Sequence, residues 1–208
     1  DALCATLPQP QVHASEPGTV DNQAMFALSY GLFVLSAREG ERDNACIINT
    51  AAQVTDTPKR ISITVNKQNL THDMILKTGV FNLSVLSQDA SFAQFQQYGF
   101  RSGRDTADKF DGAEAVRTAN GLRYEPAGTN AVLSGKVIQT LDCGTHTLFL
   151  AEVTEARVLS AVPSATYAYY FEHIKPKPQP AAEKKTGFVC KICGYVYEGE
   201  TLPEDYIC

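Results

Sequence analysis

A closed or split antiparallel β-barrel with a few short helices is the fold class predicted by this sequence, followed by a small separate module. Three observations carry that reading. Short runs of β-branched and large apolar residues, divided by turn residues, recur from residue 32 to residue 159. Only two stretches have helical character, and both are short. A proline-rich segment then interrupts the pattern before a cysteine-containing end. Many strands with only short helices between them argue against a parallel doubly wound sheet.

The elements follow in order. Residues 1–20 begin DALCATLPQPQVHASEPG and lack the basic region and long apolar core of a signal peptide, so they read as a proline-containing, poorly ordered arm. Residues 21–173 form the body. Within it LFVLSA (32–37), ACIINTAAQV (45–54), RISITVN (60–66) and VFNLSVL (80–86) are expected strands. AVLSGKVIQTL (131–141) and HTLFLAEVTEARVL (146–159) are longer strands joined through DCGT, which looks like a hairpin connection. Gly135 inside the first of these predicts a bulge or a close backbone approach. NLTHDMILKTG (69–79) is an expected helix capped by Asn69 and stopped by Gly79, and DASFAQFQQYG (89–99) a second one, capped by Asp89 or Ser91. IKPKPQPAAEKKTG (174–187) is a linker with proline at 176, 178 and 180. Such a segment favours polyproline II at roughly 3.1 Å per residue. Residues 188–208 form the appended module.

Composition bounds the function. The 208 residues are 44% hydrophobic and 20% charged, a globular balance. The net charge of −5 and pI near 5.4 predict no nucleic-acid partner. No apolar run approaches the roughly 20 residues that span a bilayer, so no membrane partner is expected. Without an export signal the cysteines are expected as reduced thiols in the cytoplasm. Of the six, Cys4, Cys46 and Cys143 are scattered and three cluster at the end, which favours a local site over a disulfide framework.

Neither a Rossmann glycine fingerprint nor a P-loop occurs. Polar residues cluster at four places instead. NTAAQVT (49–55) sets Asn49, Thr50 and Gln53 in a run otherwise fit for a core strand. They either line a polar ligand or face solvent on the outer barrel surface. VNKQNLTH (65–72) ends a strand and starts a helix, bringing Asn66, Lys67, Thr71 and His72 to a helix N-terminus, where free N–H groups and a lysine make an anion seat. The loop GFRSGRDTADKF (99–110) supplies Ser102, Arg104 and Lys109, either around a phosphate or as a salt-bridged surface. His146 opens a strand after a turn, a place from which it can meet a nicotinamide or flavin ring, or serve structure alone.

The end of the chain, FVCKICGYVYEGETLPEDYIC, places Cys190 and Cys193 as a C-x-x-C pair and Cys208 as its last residue. Tetrahedral four-sulfur coordination suits iron or zinc. A thioredoxin-type C-x-x-C would sit in a βαβ setting, which this tail lacks. A zinc ribbon needs a second C-x-x-C.

LSYGLFVLSA, NACIINTAAQVTDTP, ISITVNKQNLTH, GVFNLSVLS, GFRSGRDTADKF and CGTHTLFLAEVTEA occur in the order and at about the spacing of flavin reductase-like, FMN-binding split-barrel proteins, a resemblance over roughly residues 21–172. The tail resembles the short rubredoxin module, with its pattern C-x-x-C-G-Y-x-Y…C-P-x-C. The combination is similar to the high-molecular-weight rubredoxins, NAD(P)H-dependent electron donors to flavodiiron oxygen or nitric oxide reductases. The resemblance implies FMN in a groove at the barrel edge in a homodimer. It implies Asn49, Thr50 and Gln53 against the isoalloxazine ring, and Asn66, Lys67, Thr71 and His72 on the ribityl phosphate. Ser102, Arg104 and Lys109 would close over phosphate or nucleotide. His146 stands where a Gly-Asp-His motif of related reductases meets the nicotinamide, here Gly144-Thr145-His146. Cys190, Cys193 and Cys208 would be iron ligands, with Tyr195, Tyr197 and Tyr206 as a small aromatic core. The P-x-C expected after Cys208 is not in the sequence, which predicts weak iron binding.

The expected function is an FMN-dependent NAD(P)H oxidoreductase passing electrons through FMN to a rubredoxin iron centre. The alternatives are a flavin-carrying electron-transfer protein reduced by a separate partner, and a zinc-dependent interaction protein without flavin. A flavin enzyme of this kind needs binding and orientation from the protein, while hydride transfer is the cofactor's chemistry.

Overall fold

The computed structural model describes residues 17–177 together with the strand pairs at 188–189 and 196–197. A 3₁₀ helix, Asn22–Ala27, precedes the first strand, β1 (Phe33–Glu39), which turns at Gly40 into β2 (Arg42–Ile48). Next come β3 (Ala51–Thr55), β4 (Arg60–Asn66), helix α1 (Leu70–Thr78) and β5 (Val80–Leu86). A short helix α2 (Phe92–Phe95) runs into a π-helical turn (Gln96–Phe100). A two-stranded ribbon, β6 (Val116–Arg117) with β7 (Arg123–Tyr124), leads to the long hairpin β8 (Thr129–Asp142) and β9 (His146–Val158). Helix α3 (Tyr167–Tyr169) and a second π-helical turn (Tyr170–Ile174) follow.

Seven strands form one sheet in the order β2-β1-β5-β8-β9-β4-β3, with every neighbouring pair antiparallel. Its two edge strands, β2 and β3, are consecutive in the chain and joined only by Asn49 and Thr50. That places the split of the barrel at those two residues. The expected continuous strand 45–54 is therefore two strands, because the chain must pass there from one edge of the sheet to the other.

Alternation along the strands separates two cores. Leu35, Ala37, Ile61, Ile63, Val65, Phe81, Leu83, Phe149 and Ala151 point to the interior, where Met74 and Ile75 of α1 join them. Leu32, Val34, Ala45 and Leu86 point the other way, against Phe95, Tyr98, Phe110 and Tyr170. Each fully buried aliphatic or aromatic side chain contributes roughly 1.5–3 kcal/mol. Gly135 meets both parts of its expectation. The β8–β9 register shifts between Ser134 and Gly135, and a Cβ at Gly135 would fall on the Phe81 ring.

Helix α1 ends as expected at Gly79, in the left-handed region (φ 71°) with its N–H on the Ile75 carbonyl. Its start differs: Asn69 occupies the N-cap position with extended backbone, but its side chain makes no capping hydrogen bond. Ser91 rather than Asp89 caps α2, in a capping box with Gln94. Among the described residues no helix is long and apolar enough to cross a membrane.

The chain divides into two units after Lys175. In the second, β10 (Phe188–Val189) pairs antiparallel with β11 (Val196–Tyr197). Cys190, Cys193 and Cys208 themselves lie outside the described residues.

Candidate functional site

A cavity of about 270 Å³ opens between β2, the start of α1 and the π-helical turn after α2. It is lined by Asn44, Cys46, Gln68, Asn69, Thr71, Arg101, Ser102 and Gly103, among others, and by no carboxylate. In a chain of net charge −5 that is a selective arrangement. The first N–H groups of α1 have no i−4 partner; the Asn69 carbonyl accepts the His72 N–H at 3.1 Å, but the Asn69 side chain caps none of them. The positive end of the helix dipole therefore faces the cavity. Arg101 has no ion-pair partner among the described residues.

The cavity floor is polar and buried. Asn44, only 2% exposed, donates from Nδ2 to Thr71 Oγ1 at 2.8 Å, while its Oδ1 is buried with no partner. A buried amide oxygen left unpaired costs roughly 1–3 kcal/mol, and a ligand hydroxyl reaching it removes that cost. Gly103 lies so close to this amide that any Cβ there would strike it. Asn69 Nδ2 reaches Cys46 Sγ at 3.8 Å, and burial pushes the Cys46 thiol up to about 11, so it is neutral.

The loop after the π-helical turn is tied down on both sides. Arg42 Nη2 donates to the Gly103 carbonyl at 2.6 Å. Arg104 donates to the Gln68 carbonyl at 3.2 Å and pairs with Asp73 at 2.8 Å, so it braces the loop against α1. Asp73 is held below the usual carboxylate range by hydrogen bonds from His72 and Arg104. Lys109 is behind the wall rather than in it: 1% exposed, its amine donates to the carbonyls of Tyr98 and Arg101.

A second group gathers at the mouth of β4 and β9, where Asn66 pairs with His146 in the ladder. Asn66 Oδ1 accepts from the Gln68 N–H at 2.9 Å, which shapes the turn into α1. Lys67 Nζ pairs with Asp142 at 2.7 Å, and the Lys67 N–H bonds the Thr145 carbonyl. His146 Nδ1 lies 2.8 Å from Thr145 Oγ1, which fixes the ring and leaves Nε2 for a further partner. His72 is buried behind this group, with Nε2 2.9 Å from Thr147 Oγ1 and Nδ1 3.1 Å from Asp73.

Of the sequence-predicted residues, Thr71 and Ser102 line the cavity, with Arg104 and Lys109 bracing its wall. Asn66, Lys67 and His146 share the strand mouth. Asn49 and Thr50 form the seam, where Thr50 Oγ1 donates to the Thr64 carbonyl at 2.6 Å. Gln53 is exposed on β3 and borders a different cavity of about 360 Å³, floored by Phe33, Leu83, Val85 and Leu133. Asn44, Cys46, Gln68 and Arg101 were not anticipated. Asn44 follows the charged Arg42 and Asp43 at the start of β2, so its local sequence gives no sign of burial.

The residues fit a flavin mononucleotide in chemistry. The helix N-terminus and Arg101 suit a phosphate, and the orphaned Asn44 oxygen suits a ribityl hydroxyl. Cys190, Cys193 and Cys208 lie outside the described residues, and as thiols their chemistry would suit iron or zinc.

Comparison with known proteins places the chain. The flavin reductase like domain model matches residues 25–177. The high molecular weight rubredoxin of Moorella thermoacetica is 36% identical over 217 aligned positions, covering 91% of this chain and 94% of that one. The ferric-chelate reductase (NAD(P)H) of Archaeoglobus fulgidus is 34% identical over 73% of this chain and 89% of its own. Among solved structures, the NADH:FAD oxidoreductase of Streptomyces globisporus superposes with a TM-score of 0.64 at 21% identity, over 76% of this chain and 93% of that one, a likeness of fold. The six ordered blocks, the split seven-stranded barrel and the family match over the whole body agree, and this chain belongs to the flavin reductase like domain family.

Proposed function

We propose that this protein is an FMN-dependent NAD(P)H oxidoreductase that passes electrons from its flavin to a rubredoxin-type iron centre held by Cys190, Cys193 and Cys208. The observation that carries the reading is the carboxylate-free cavity at the α1 N-terminus, with its unpaired Arg101 and its orphaned Asn44 oxygen. Bound there, a flavin would supply hydride acceptance and stepwise electron release. The chain's own residues then have three tasks. Thr71, Ser102 and Arg101 hold the phosphate, with Asn66, Lys67 and His72 shaping the approach. Asn49, Thr50 and Gln53 border the ring. His146, steadied by Thr145, orients a nicotinamide through Nε2.

Similarity to a protein named for NAD(P)H-dependent ferric-chelate reduction supports the donor. The iron assignment draws on the similarity to a high molecular weight rubredoxin along nearly all of both chains. A flavodiiron protein as acceptor is supported by weaker similarity to diflavin flavoproteins. Of one from Nostoc, the chain matches a quarter of the length at 24% identity. We place the protein in the cytoplasm, where its thiols stay reduced.

The visible spectrum of the purified protein tests the reading. Flavin bands are expected, with ferric-thiolate bands in proportion to the iron that the chain holds, and both bleached anaerobically by NADH or NADPH. A protein that is colourless and takes up no FMN overturns the proposal. One that holds FMN but is not reduced by either nucleotide would instead be a carrier reduced by a partner.

A further inference from the structure

Resting on the flavin reading of the α1 cavity, we propose that Lys109 is a positioning residue that couples the binding of a phosphate dianion to protonation of its own buried amine. Lys109 is 1% exposed and has no carboxylate partner among the described residues. Its amine donates instead to the carbonyls of Tyr98, within the π-helical turn that walls the cavity, and Arg101, at the end of that turn. A buried ammonium without a counter-charge is costly, and such groups are ordinarily paired. Here the missing counter-charge is a ligand on the other side of the turn.

The groups facing Lys109 leave that role open. From β2 comes the Cys46 thiol, neutral because burial pushes it up to about 11. Arg101 is a like charge and repels. On its own segment, Asp108 is turned to the Phe110 N–H and to Arg123. Tyr98 beside it gives its hydroxyl to Glu125, and burial raises it further from ionisation. Burial, reinforced by the like charge of Arg101, lowers Lys109 from 10.5 to about 8. The amine is thus charged at neutral pH by a narrow margin.

A dianion in the cavity favours the ammonium and raises its pKa in the complex. Affinity for the dianion is then fully present below the free-state value of about 8 and is lost as pH rises through it. Deprotonation also weakens the clip on the Tyr98 and Arg101 carbonyls, so the wall loosens as the charge goes.

The experiment measures dissociation constants of FMN and of riboflavin for the full chain between pH 7 and pH 9, by flavin fluorescence. This window lies above the second phosphate ionisation near 6. Linkage through a group titrating near 8 predicts that FMN binding weakens about tenfold from pH 7 to pH 9, while riboflavin changes by less than about twofold. Calorimetry in two buffers of different ionisation enthalpy should register proton uptake with FMN only. Lys109→Met should bind FMN weakly with no pH dependence, and Lys109→Arg should restore affinity, also without it. The two wild-type measurements decide the matter even if a variant does not fold. FMN affinity that is flat across this range, or riboflavin that follows FMN, overturns the inference alone. Failure to bind FMN at any pH overturns the flavin reading and the inference with it.

Discussion

At the scale of single residues, two cations near the helix N-terminus have different commitments. Arg101 lines the cavity and has no ion-pair partner among the described residues, whereas Lys67 is paired with Asp142 at 2.7 Å. A charge-assisted hydrogen bond contributes about 1.5–3 kcal/mol, or ten- to a hundredfold in affinity. Arg101→Ala should weaken FMN binding by that amount and Lys67→Ala by only a few-fold, measured by fluorescence titration; the reverse order would move the phosphate to the strand mouth. His146 is the second case. With Nδ1 committed to Thr145, its Nε2 offers one hydrogen bond to a nicotinamide amide. One such bond contributes about 0.5–1.5 kcal/mol, so His146→Ala should slow anaerobic flavin reduction by NAD(P)H about two- to tenfold while FMN stays bound. Stopped-flow rates equal to wild type would make His146 purely structural. Residue identity singles out Lys67 and His146 as candidates but not Arg101, and it does not give their wiring. That Lys67 faces Asp142, or that Lys109 is buried, depends on residues 75 and 11 positions away. No local pattern encodes that.

At the scale of elements, what was legible is what local physics decides. β4 and β5 occupy their predicted spans of 60–66 and 80–86, because alternating apolar residues bounded by turn residues leave little choice. Gly79 stops α1 because only glycine takes the left-handed cap cheaply. The seam at Asn49–Thr50 was not visible, since the residues on both sides are equally fit for a strand and only the closing of the sheet separates them. Asn69 fails to cap α1 for a related reason: its amide turns to Cys46 on β2 instead. The π-helical turn was read as a continuation of α2, as its sequence is an ordinary helical one. Gly135 gives the element-scale prediction. A methyl group there would fall on the Phe81 ring, itself fully buried. Overpacking a core costs roughly 1–3 kcal/mol, and a domain of this size loses about 2–4 °C of melting temperature per kcal/mol. Gly135→Ala should therefore lower the thermal midpoint by several degrees without changing FMN affinity, as read by circular dichroism and titration. An unchanged midpoint would mean that the bulge at Ser134–Gly135 absorbs the added volume.

At the scale of the whole molecule, one sheet face is less covered than a single chain requires. Cross-strand partners share a face, so the register places Leu141 beside Leu148, Leu148 beside Thr64, and Leu150 beside Ser62. Their chain neighbours Phe149 and Ala151 point into the core, so these leucines point away from it. Leu141 is 59% exposed, while Leu148 and Leu150 are half-buried. Exposed apolar residues grouped in this way mark an interaction face. The expected homodimer would cover it, and would also border the seam at Asn49–Thr50, giving a bound flavin ring a second wall. Sedimentation at micromolar concentration should give twice the 22.6 kDa chain mass. Leu141→Lys combined with Leu148→Lys sets like charges directly opposite each other on that face. The variant should sediment as a single chain and keep its β-rich circular dichroism spectrum, because neither side chain enters the barrel core. Its FMN affinity should fall if the partner supplies part of the flavin groove, and stay unchanged if the α1 cavity alone holds the cofactor. A wild-type protein that sediments as one chain would assign the apolar face to a different partner.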